Sequence, residues 1–191
     1  GCTDPDILRT LVENVNAAGI LVVVSAGNAG SGCNTVRDPA AIYAASFTVG
    51  ATTSSDAMAT YSSRGPVTVD GSQRIKPDIV APGSSVRSAN RNNGYYNSSG
   101  TSMAGPHVAG AAALLMSADP SLKRDPERVI DLLQRSAVPV ASTQECGGSP
   151  ASVLPNAVFG HGRIDVTAAL TLLMQQAPVF DDGFETLAGS E

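Results

Sequence analysis

The sequence predicts an α/β fold with a mainly parallel sheet. Apolar residues recur at helical spacing over residues 7–15, the helix ends at Gly19, and an apolar, β-branched run follows at residues 20–24. This run is too apolar for a half-exposed strand and is typical of a strand buried on both faces. A helix followed by a buried strand indicates a parallel α/β sheet. The 191 residues, 42% hydrophobic and 15% charged, suffice for one domain with a sizeable core.

The first helix and the loop after the first strand have clear boundaries in the sequence. Asp4 and Pro5 supply an N-cap and a proline for the first helical position, and Gly19 terminates the helix. Residues 25–34 are polar and rich in glycine, which predicts a loop at the carboxyl end of the strand. Open α/β sheets bind ligands at that end, so we expect a functional site there.

Two more strands and a hairpin are predicted in the middle of the chain. Residues 47–51 and 78–81 are short apolar runs next to turn residues, which is typical of buried strands. Between residues 86 and 99, the turn signal Asn93-Gly94 is flanked by residues compatible with strands. This pattern predicts a β-hairpin.

Three helices are predicted in the second half of the chain. Residues 101–117 are small and apolar nearly all round, as expected of a helix buried in the core. Asp125-Pro126 opens a further helix that ends near Pro139, and Asp165 caps a last helix. We therefore divide the chain into a domain at 1–175 and an acidic tail without periodicity at 176–191.

Charge and hydropathy argue against two classes of partner. The formal net charge is −5 and the basic residues form no run, so the chain lacks the basic surface that nucleic-acid binding requires. The longest apolar stretches, residues 19–24 and 108–116, are shorter than the roughly 20 residues of a membrane-spanning helix. We expect neither nucleic acid nor a membrane as a partner.

Ser102 is the candidate nucleophile. It lies where a loop turns into the predicted helix 101–117, so its oxygen is close to unpaired N–H groups and to the positive end of the helix dipole. Gly100 and Gly105 allow another chain to approach closely on either side. Taken alone, a Gly-x-Ser near a helix is weak evidence, and an ordinary helix N-cap is the favoured interpretation.

Longer motifs favour the catalytic interpretation. Residues 100–114, GTSMAGPHVAGAAAL, closely resemble the nucleophile segment of the subtilase family of serine proteases, and residues 19–30, GILVVVSAGNAG, resemble its oxyanion segment. Shorter matches between residues 5 and 173 are TVGAT, YSSRGP, KPDIVAPG and GHGRIDV. The resemblance implies a three-layer, subtilisin-like α/β sandwich, of which this chain is the C-terminal part.

The resemblance also implies roles for individual residues. Ser102 would attack the scissile carbonyl of a polypeptide substrate and form an acyl-enzyme. The side-chain amide of Asn28, with the backbone N–H of Ser102, would stabilise the oxyanion. Residues that resemble those binding the substrate are Ser25, Ala26, Gly27, Gly100 and Thr101. Their small side chains leave room for large apolar groups.

The Asp and His of the family's triad precede this region, and neither has a counterpart in the sequence. His107, within the predicted buried helix, and His161, in a glycine turn, are expected to be structural. Without a base, a serine hydroxyl is a weak nucleophile, so the chain alone is expected to be nearly inert. The expected partner is an N-terminal part of the same domain. The family implies secretion.

A structural calcium ion is the one cofactor to consider, because the chemistry itself requires none. Some relatives bind calcium with a carboxylate at the position of Asp78 and carbonyls matching Ala44 and Ser46, and such oxygen ligands suit this ion. The alternative is an Asp78 held by local backbone N–H groups. Both interpretations stay open at this stage.

The three cysteines lack the spacing of a zinc site, which leaves disulfides or buried thiols. Cys2 and Cys33 flank the same helix–strand unit, so we favour a bond between them. Cys146 would then be free or paired elsewhere.

Two other functions are alternatives to the serine peptidase. An α/β-hydrolase esterase could use Ser102, Asp131 and His161, but its nucleophile follows a buried strand, whereas residues 96–99 are polar and Ala104 replaces the expected glycine. A peptide-binding pseudopeptidase would fit the missing Asp and His. The sequence favours the serine endopeptidase.

Overall fold

A computed structural model describes residues 4–148, 150 and 152–176 of the chain. The predicted tail therefore lies outside the described residues except for Gln176, which belongs to the last helix. No helix in this part of the chain is long and apolar enough to cross a membrane. The elements are α1 Arg9–Ala17, β1 Val23–Ser25, β2 Phe47–Thr52, β3 Ile79–Pro82, β4 Val86–Asn90, β5 Gly94–Ser98, α2 Thr101–Ala118, a 3₁₀ turn Pro120–Leu122, α3 Pro126–Arg135 and α4 Val166–Gln176.

The main sheet is parallel, as predicted. Its three strands follow the order β1-β2-β3, with Val24 opposite Thr48 and Val49 opposite Ile79. Parallel strands bring their carboxyl ends to one edge of the sheet. The loops after β1 and β3 therefore lie at the same edge, on either side of the carboxyl end of β2.

Strand β1 differs from its prediction. We expected residues 20–24 to form a strand buried on both faces, but the strand is Val23–Ser25 and is half-buried. It pairs with β2 on one side only, and no strand described in the chain pairs with its other side. An edge strand without a neighbour keeps its side chains partly in solvent, and Ile20 just before it is 57% exposed.

Helices cover the sheet on both faces, which gives three layers. On one face Val12 of α1 packs in a cluster with Val22, Val24 and Tyr43. On the other face the alternate strand residues meet α2, α3 and α4; the buried members of this core include Phe47, Val49, Ile79, Ala104, Val108, Leu115, Leu132 and Leu173. Alternation along the strands supplies one set of side chains to each layer.

Helix α1 begins later than predicted. The side chain of Asp4 accepts from Asp6 N at 2.9 Å, which caps a separate turn before the helix. The α-helix starts at Arg9, where Leu8 N has already donated to Tyr43 Oη at 3.1 Å. A tertiary contact therefore satisfies a donor at the helix end, which local capping alone would not predict.

Helix α2 is buried on one face rather than all round. Ala104, Val108 and Leu115 pack against the sheet, whereas the opposite face is open and Leu114 is 54% exposed. The composition predicted full burial because small apolar residues occupy the whole circumference. In the described structure, only the sheet-facing side has a covering layer.

The hairpin and the starts of the last two helices agree with the prediction, whereas α3 ends at Arg135 rather than near Pro139, because Val138 pairs with Arg163 instead. Strands β4 and β5 pair antiparallel through the turn at Asn93, whose φ is 57°. Helix α3 is capped by Asp125 Oδ1, which accepts from Arg128 N at 3.0 Å. Asp165 Oδ1 accepts from Ala168 N at 2.9 Å at the start of α4. These local signals predict structure well because cap and turn are satisfied within a few residues.

The predicted disulfide between Cys2 and Cys33 is wrong. Cys33 is bonded to Cys146, with a Cα–Cα distance of 5.4 Å and a separation of 113 residues in the sequence. The loop that carries Cys33 lies against the segment around Cys146, where Gln144 Nε2 donates to Ser31 O at 2.7 Å. Cys2 lies outside the described residues.

Candidate active site

Ser102 is the second residue of α2, and its side chain is exposed at the carboxyl edge of the sheet. The loop in front of the helix is tied to the end of β3, because Gly100 N donates to Gly83 O at 2.9 Å. Within the described residues, the backbone N–H of Ser102 has no acceptor. The helix tip thus presents a hydroxyl and a free N–H together.

Asn28 projects from the loop after β1 toward the same helix tip. Its Oδ1 accepts from Thr101 N at 2.9 Å and from Thr101 Oγ1 at 3.1 Å. A backbone N–H can only donate, so the oxygen of the carboxamide must face Thr101 and the nitrogen must point away. A Cβ built on Gly100 would lie 3.5 Å from Asn28 Nδ2. The amide nitrogen therefore lies next to the glycine that precedes Thr101 and Ser102.

Thr101 joins the loop to the helix through both its side chain and its backbone. It is fully buried, and its hydroxyl accepts from Gly27 N at 3.2 Å while donating to Asn28. Its carbonyl accepts from Ser25 Oγ at 3.0 Å. We expected Thr101 to contact the substrate, but burial leaves its side chain no open surface. Its contacts instead hold the residues of the loop.

The structure brings the other predicted substrate-binding residues to the same place. Ser25 and Gly27 are half-buried, Ala26 is buried in the core on the α1 face, and Gly100 adjoins Asn28. Ala26 is only 2% exposed, so it offers almost no surface to a substrate. Binding of a substrate by these residues stays a prediction.

A second segment supports the loop of Asn28, and sequence reasoning missed its role. Ser63 N donates to Gly27 O at 2.9 Å, and Ser63 Oγ accepts from Ala29 N at 3.0 Å. Gly30 N donates to Tyr61 O at 3.0 Å. In the sequence, the YSSRGP motif at residues 61–66 indicates only the resemblance to the family. Its consecutive polar residues Ser62, Ser63 and Arg64 are buried, and buried polar groups need partners of this kind.

Arg64 of the same motif fixes the far end of this loop. Its Nη1 donates to Ser31 O at 2.8 Å and contacts the side-chain oxygen of Gln144. Burial lowers the pKa of Arg64 from its ordinary value. Together with the disulfide of Cys33, this contact secures the end of the loop opposite β1.

A groove of about 340 Å³ adjoins Ser102. Its walls are the first three residues of β4 and the first turns of α2, namely Val86, Arg87, Ser88, Ser102, Met103, Pro106 and His107. The Arg87 guanidinium lies 4.3 Å above the ring of Tyr95 on the hairpin. The groove gives another side chain access to the nucleophile from beside the helix.

Neither histidine is hydrogen-bonded to Ser102 in the described part of the chain, although His107 lines the same groove. His107 was expected to be packed in the helix, but it is exposed, with Nδ1 2.8 Å from Met103 O. His161 lies near β3, where its backbone N–H donates to Asp78 O at 2.9 Å. Burial lowers the pKa of its imidazole. Asp131 is exposed on α3 and pairs with Arg135 at 3.0 Å. The triad of the esterase alternative is not assembled.

The oxygens predicted to bind calcium are brought together only in part, and Lys76 lies between them. Its Nζ donates to Ser46 O and to Asp78 Oδ2, each at 2.6 Å. Ala44, the third predicted ligand, is in an exposed part of the loop. Asp78 Oδ2 also accepts from Thr48 N at 2.6 Å, as the alternative interpretation expected. A cationic ammonium at the centre does not fit a calcium site.

Burial is the main influence on the pKa of Lys76. It lowers this pKa, while the adjacent carboxylate of Asp78 raises it in part. The side chain of Lys76 is 2% exposed and that of Asp78 is 20% exposed. Sequence reasoning considered Asp78 and overlooked Lys76, although the two are neighbours in the KPD motif.

Comparison with known proteins shows the family and the fold of the chain. The family model described as Subtilase family, Peptidase S8, matches residues 3–162. The chain belongs to the subtilase family. The predicted subtilisin-like α/β fold, present as part of a domain, is confirmed by the structural neighbours of this subtilase chain.

Several relatives are similar over most of this subtilase chain. Subtilisin E of Bacillus subtilis (strain 168) is 37% identical over 172 residues, which cover 88% of the chain and 38% of that protein. Subtilisin of Bacillus pumilus is 35% identical over 171 residues, covering 88% of the chain and 53% of that protein. The solved structure of the patellamide maturation protease PatA has a TM-score of 0.68 at 30% identity, covering 88% of the chain and 56% of PatA. The chain thus spans less than two thirds of the length of each.

Proposed function

We propose that this subtilase chain supplies the nucleophile and one oxyanion donor of a serine endopeptidase. The supporting observation is the orientation of Asn28, whose oxygen is occupied by Thr101 while its amide nitrogen lies beside Gly100. A carboxamide held in this way is ready to donate to a negative charge that develops next to Ser102. Preorganised donors of this kind stabilise transition states because they need no reorientation during the reaction.

In the proposed reaction, Ser102 Oγ attacks the carbonyl carbon of a peptide bond. Its proton passes to a general base outside this chain, and the carbonyl oxygen becomes an oxyanion that accepts from Asn28 Nδ2 and Ser102 N. The C–N bond then breaks, the amine leaves with the proton, and water hydrolyses the acyl-enzyme. The groove along Val86 and Pro106 is where we expect the base to reach Ser102.

The partner in this proposal is the rest of the peptidase domain, and β1 is the edge it would join. An apolar cavity of about 330 Å³ lies between β1 and α2, lined in part by Ile20, Leu21, Val23 and Met116. Leu11 on the other face is 61% exposed. A further parallel strand beside β1, with its own helices, would cover these surfaces.

An extracytoplasmic location belongs to the same proposal. The related subtilisins of Bacillus support it, and so does the disulfide between Cys33 and Cys146, since such bonds persist in oxidising compartments. No cofactor takes part in the proposed chemistry.

The proposal is tested in the complete peptidase domain with three variants. Ser102→Ala should abolish peptide hydrolysis and covalent labelling by a fluorophosphonate. Asn28→Ala should lower kcat by about 10²–10³ with little change in KM, the loss typical of a removed oxyanion donor. Asn92→Ala, in the exposed hairpin turn, is the matched control and should be neutral.

The isolated chain provides the complementary test. It should neither hydrolyse peptides nor react with the fluorophosphonate, because Ser102 lacks a base. Hydrolysis by the isolated chain that Ser102→Ala removes would contradict the need for a base from elsewhere. A complete domain that binds peptides without cleaving them would instead favour the pseudopeptidase.

A further inference from the structure

Lys76 is buried outside the candidate active site, at the amino ends of strands β2 and β3. Its ammonium is held by Ser46 O, just before β2, and by the carboxylate of Asp78, just before β3. The same carboxylate accepts from Thr48 N, and Asp78 N donates to Thr48 O at 2.8 Å. One cation thus links the starts of two adjacent strands.

In this cluster the ammonium of Lys76 occupies the position that a metal cation would have between the two oxygens. The ammonium contacts a carboxylate and a backbone carbonyl, both of which are oxygen ligands suited to calcium. Calcium requires about six to eight oxygens, and the described residues contain no group of three or more His, Cys, Asp or Glu that could hold a metal. The backbone is also tightly packed, since a Cβ on Gly65 would lie 2.4 Å from Lys76 O.

We propose that the ammonium of Lys76 replaces a metal ion at this position, so that the junction of β2 and β3 does not depend on calcium. The positive charge of the Lys76 ammonium neutralises the carboxylate of Asp78 within the same chain, so no external cation is needed. Arg74 is the other charged group that influences Lys76, and its like charge opposes the ammonium. Asp78 is therefore the group on which the retention of this cation depends.

The first experiment measures the response to calcium in the complete domain. The midpoint of thermal unfolding is compared in millimolar calcium and in EDTA, for the wild type and for Asp78→Asn. Calcium bound elsewhere would shift both proteins equally, so we expect the same increment in each. An increment present in the wild type and lost in Asp78→Asn would overturn the proposal.

The second experiment tests the internal cation directly. Lys76→Met keeps the apolar stem but removes the charge, which leaves Asp78 without its partner and should lower the midpoint by roughly 5–10 °C. The double variant Lys76→Met/Asp78→Asn should recover much of that loss, because neither charge is then unpaired. Strictly additive effects of the two substitutions would contradict the proposal.

The chain offers a matched control for this experiment. Arg91 is exposed in the hairpin turn, so Arg91→Met removes a charge from the surface and should leave the midpoint unchanged. The chain's other lysine, Lys123, is exposed in the described structure. Amine-reactive labelling followed by mass spectrometry should modify Lys123 and spare Lys76, with or without calcium. Labelling of Lys76 in the folded domain at the rate of Lys123 would show that the ammonium does not occupy the cluster.

Discussion

Thr101 donates twice to a single atom of Asn28, because its backbone N–H and its hydroxyl both bind Oδ1, at 2.9 and 3.1 Å. The contact joins the loop after β1 to the first residue of α2. The orientation of the Asn28 amide is therefore set by the residue next to Ser102 in the sequence. Thr101 thus positions both the amide of Asn28 and the adjacent Ser102.

Thr101→Val tests this support in the complete domain. The substitution preserves shape but removes the hydroxyl bond to Asn28 Oδ1 and leaves Gly27 N without its acceptor, while the backbone N–H of Thr101 still donates to Asn28. We expect kcat to fall about 10-fold to 100-fold, with a smaller change in KM. Thr101→Ser retains the hydroxyl and should recover most of the activity. Equal losses in the two variants would indicate that packing of the methyl group, not the hydrogen bonds, is what matters.

Removal of the disulfide should destabilise the domain. The bond closes a loop with a sequence separation of 113 residues, and loss of such a loop costs about 2–5 kcal/mol in the free energy of unfolding. The measurement is denaturant unfolding of Cys33→Ser/Cys146→Ser against the wild type. Cys2→Ser is the control and should be neutral, because Cys33 already has its partner. A destabilised Cys2→Ser would revive the pairing expected from the sequence.

Gly83→Ala should lower stability because the glycine occupies a crowded junction. A Cβ at this position would lie 2.6 Å from Ala51 Cβ and 2.8 Å from Gly100 O, neither of which can move freely. Overpacking of this kind costs about 1–3 kcal/mol, measured as a shift in the denaturant midpoint. Gly32→Ala adds the same methyl where nothing lies within 4 Å, so it should be close to neutral. Similar losses at both positions would contradict the steric explanation.

Two aspartates of α3 should respond differently to substitution by alanine. Asp125 caps the helix through Arg128 N, so Asp125→Ala should cost about 1 kcal/mol in unfolding free energy. Asp131 forms only an exposed pair with Arg135, and Asp131→Ala should cost less than about 0.5 kcal/mol. Asp131→Ala should also leave peptidase activity unchanged. Loss of activity in this variant would reopen the esterase alternative.

Elements governed by local contacts could be predicted from the sequence. The hairpin at Asn93 and the helix capped by Asp125 match because their signals are satisfied within a few residues. Strand β1 and helix α2 were predicted to be buried on every side. Their apolar composition shows which faces are suited to burial. Whether a face is buried depends on the elements that pack against it, and the described chain covers only one side of each.

Motifs named the members of the candidate site, whose catalytic roles stay predictions, but they did not predict its contacts. Motifs predicted that Ser102 and Asn28 would meet, and the structure brings the Asn28 amide next to Gly100. Burial of Thr101, and the ammonium of Lys76 between the two oxygens proposed for calcium, depend on residues distant in sequence. A motif identifies residue types and their order, but it does not show which distant residues contact each other in the fold.

The bond between Cys33 and Cys146 makes a covalent ring that contains Ser102, and Asn28 lies on the tail just before it. The hairpin turn at Asn92, exposed and within the ring, is the kind of segment that proteases nick. A single cut there would open the ring without releasing a fragment. Both halves of the nicked chain would remain one molecule, so a cut at this turn would not separate Asn28 from Ser102.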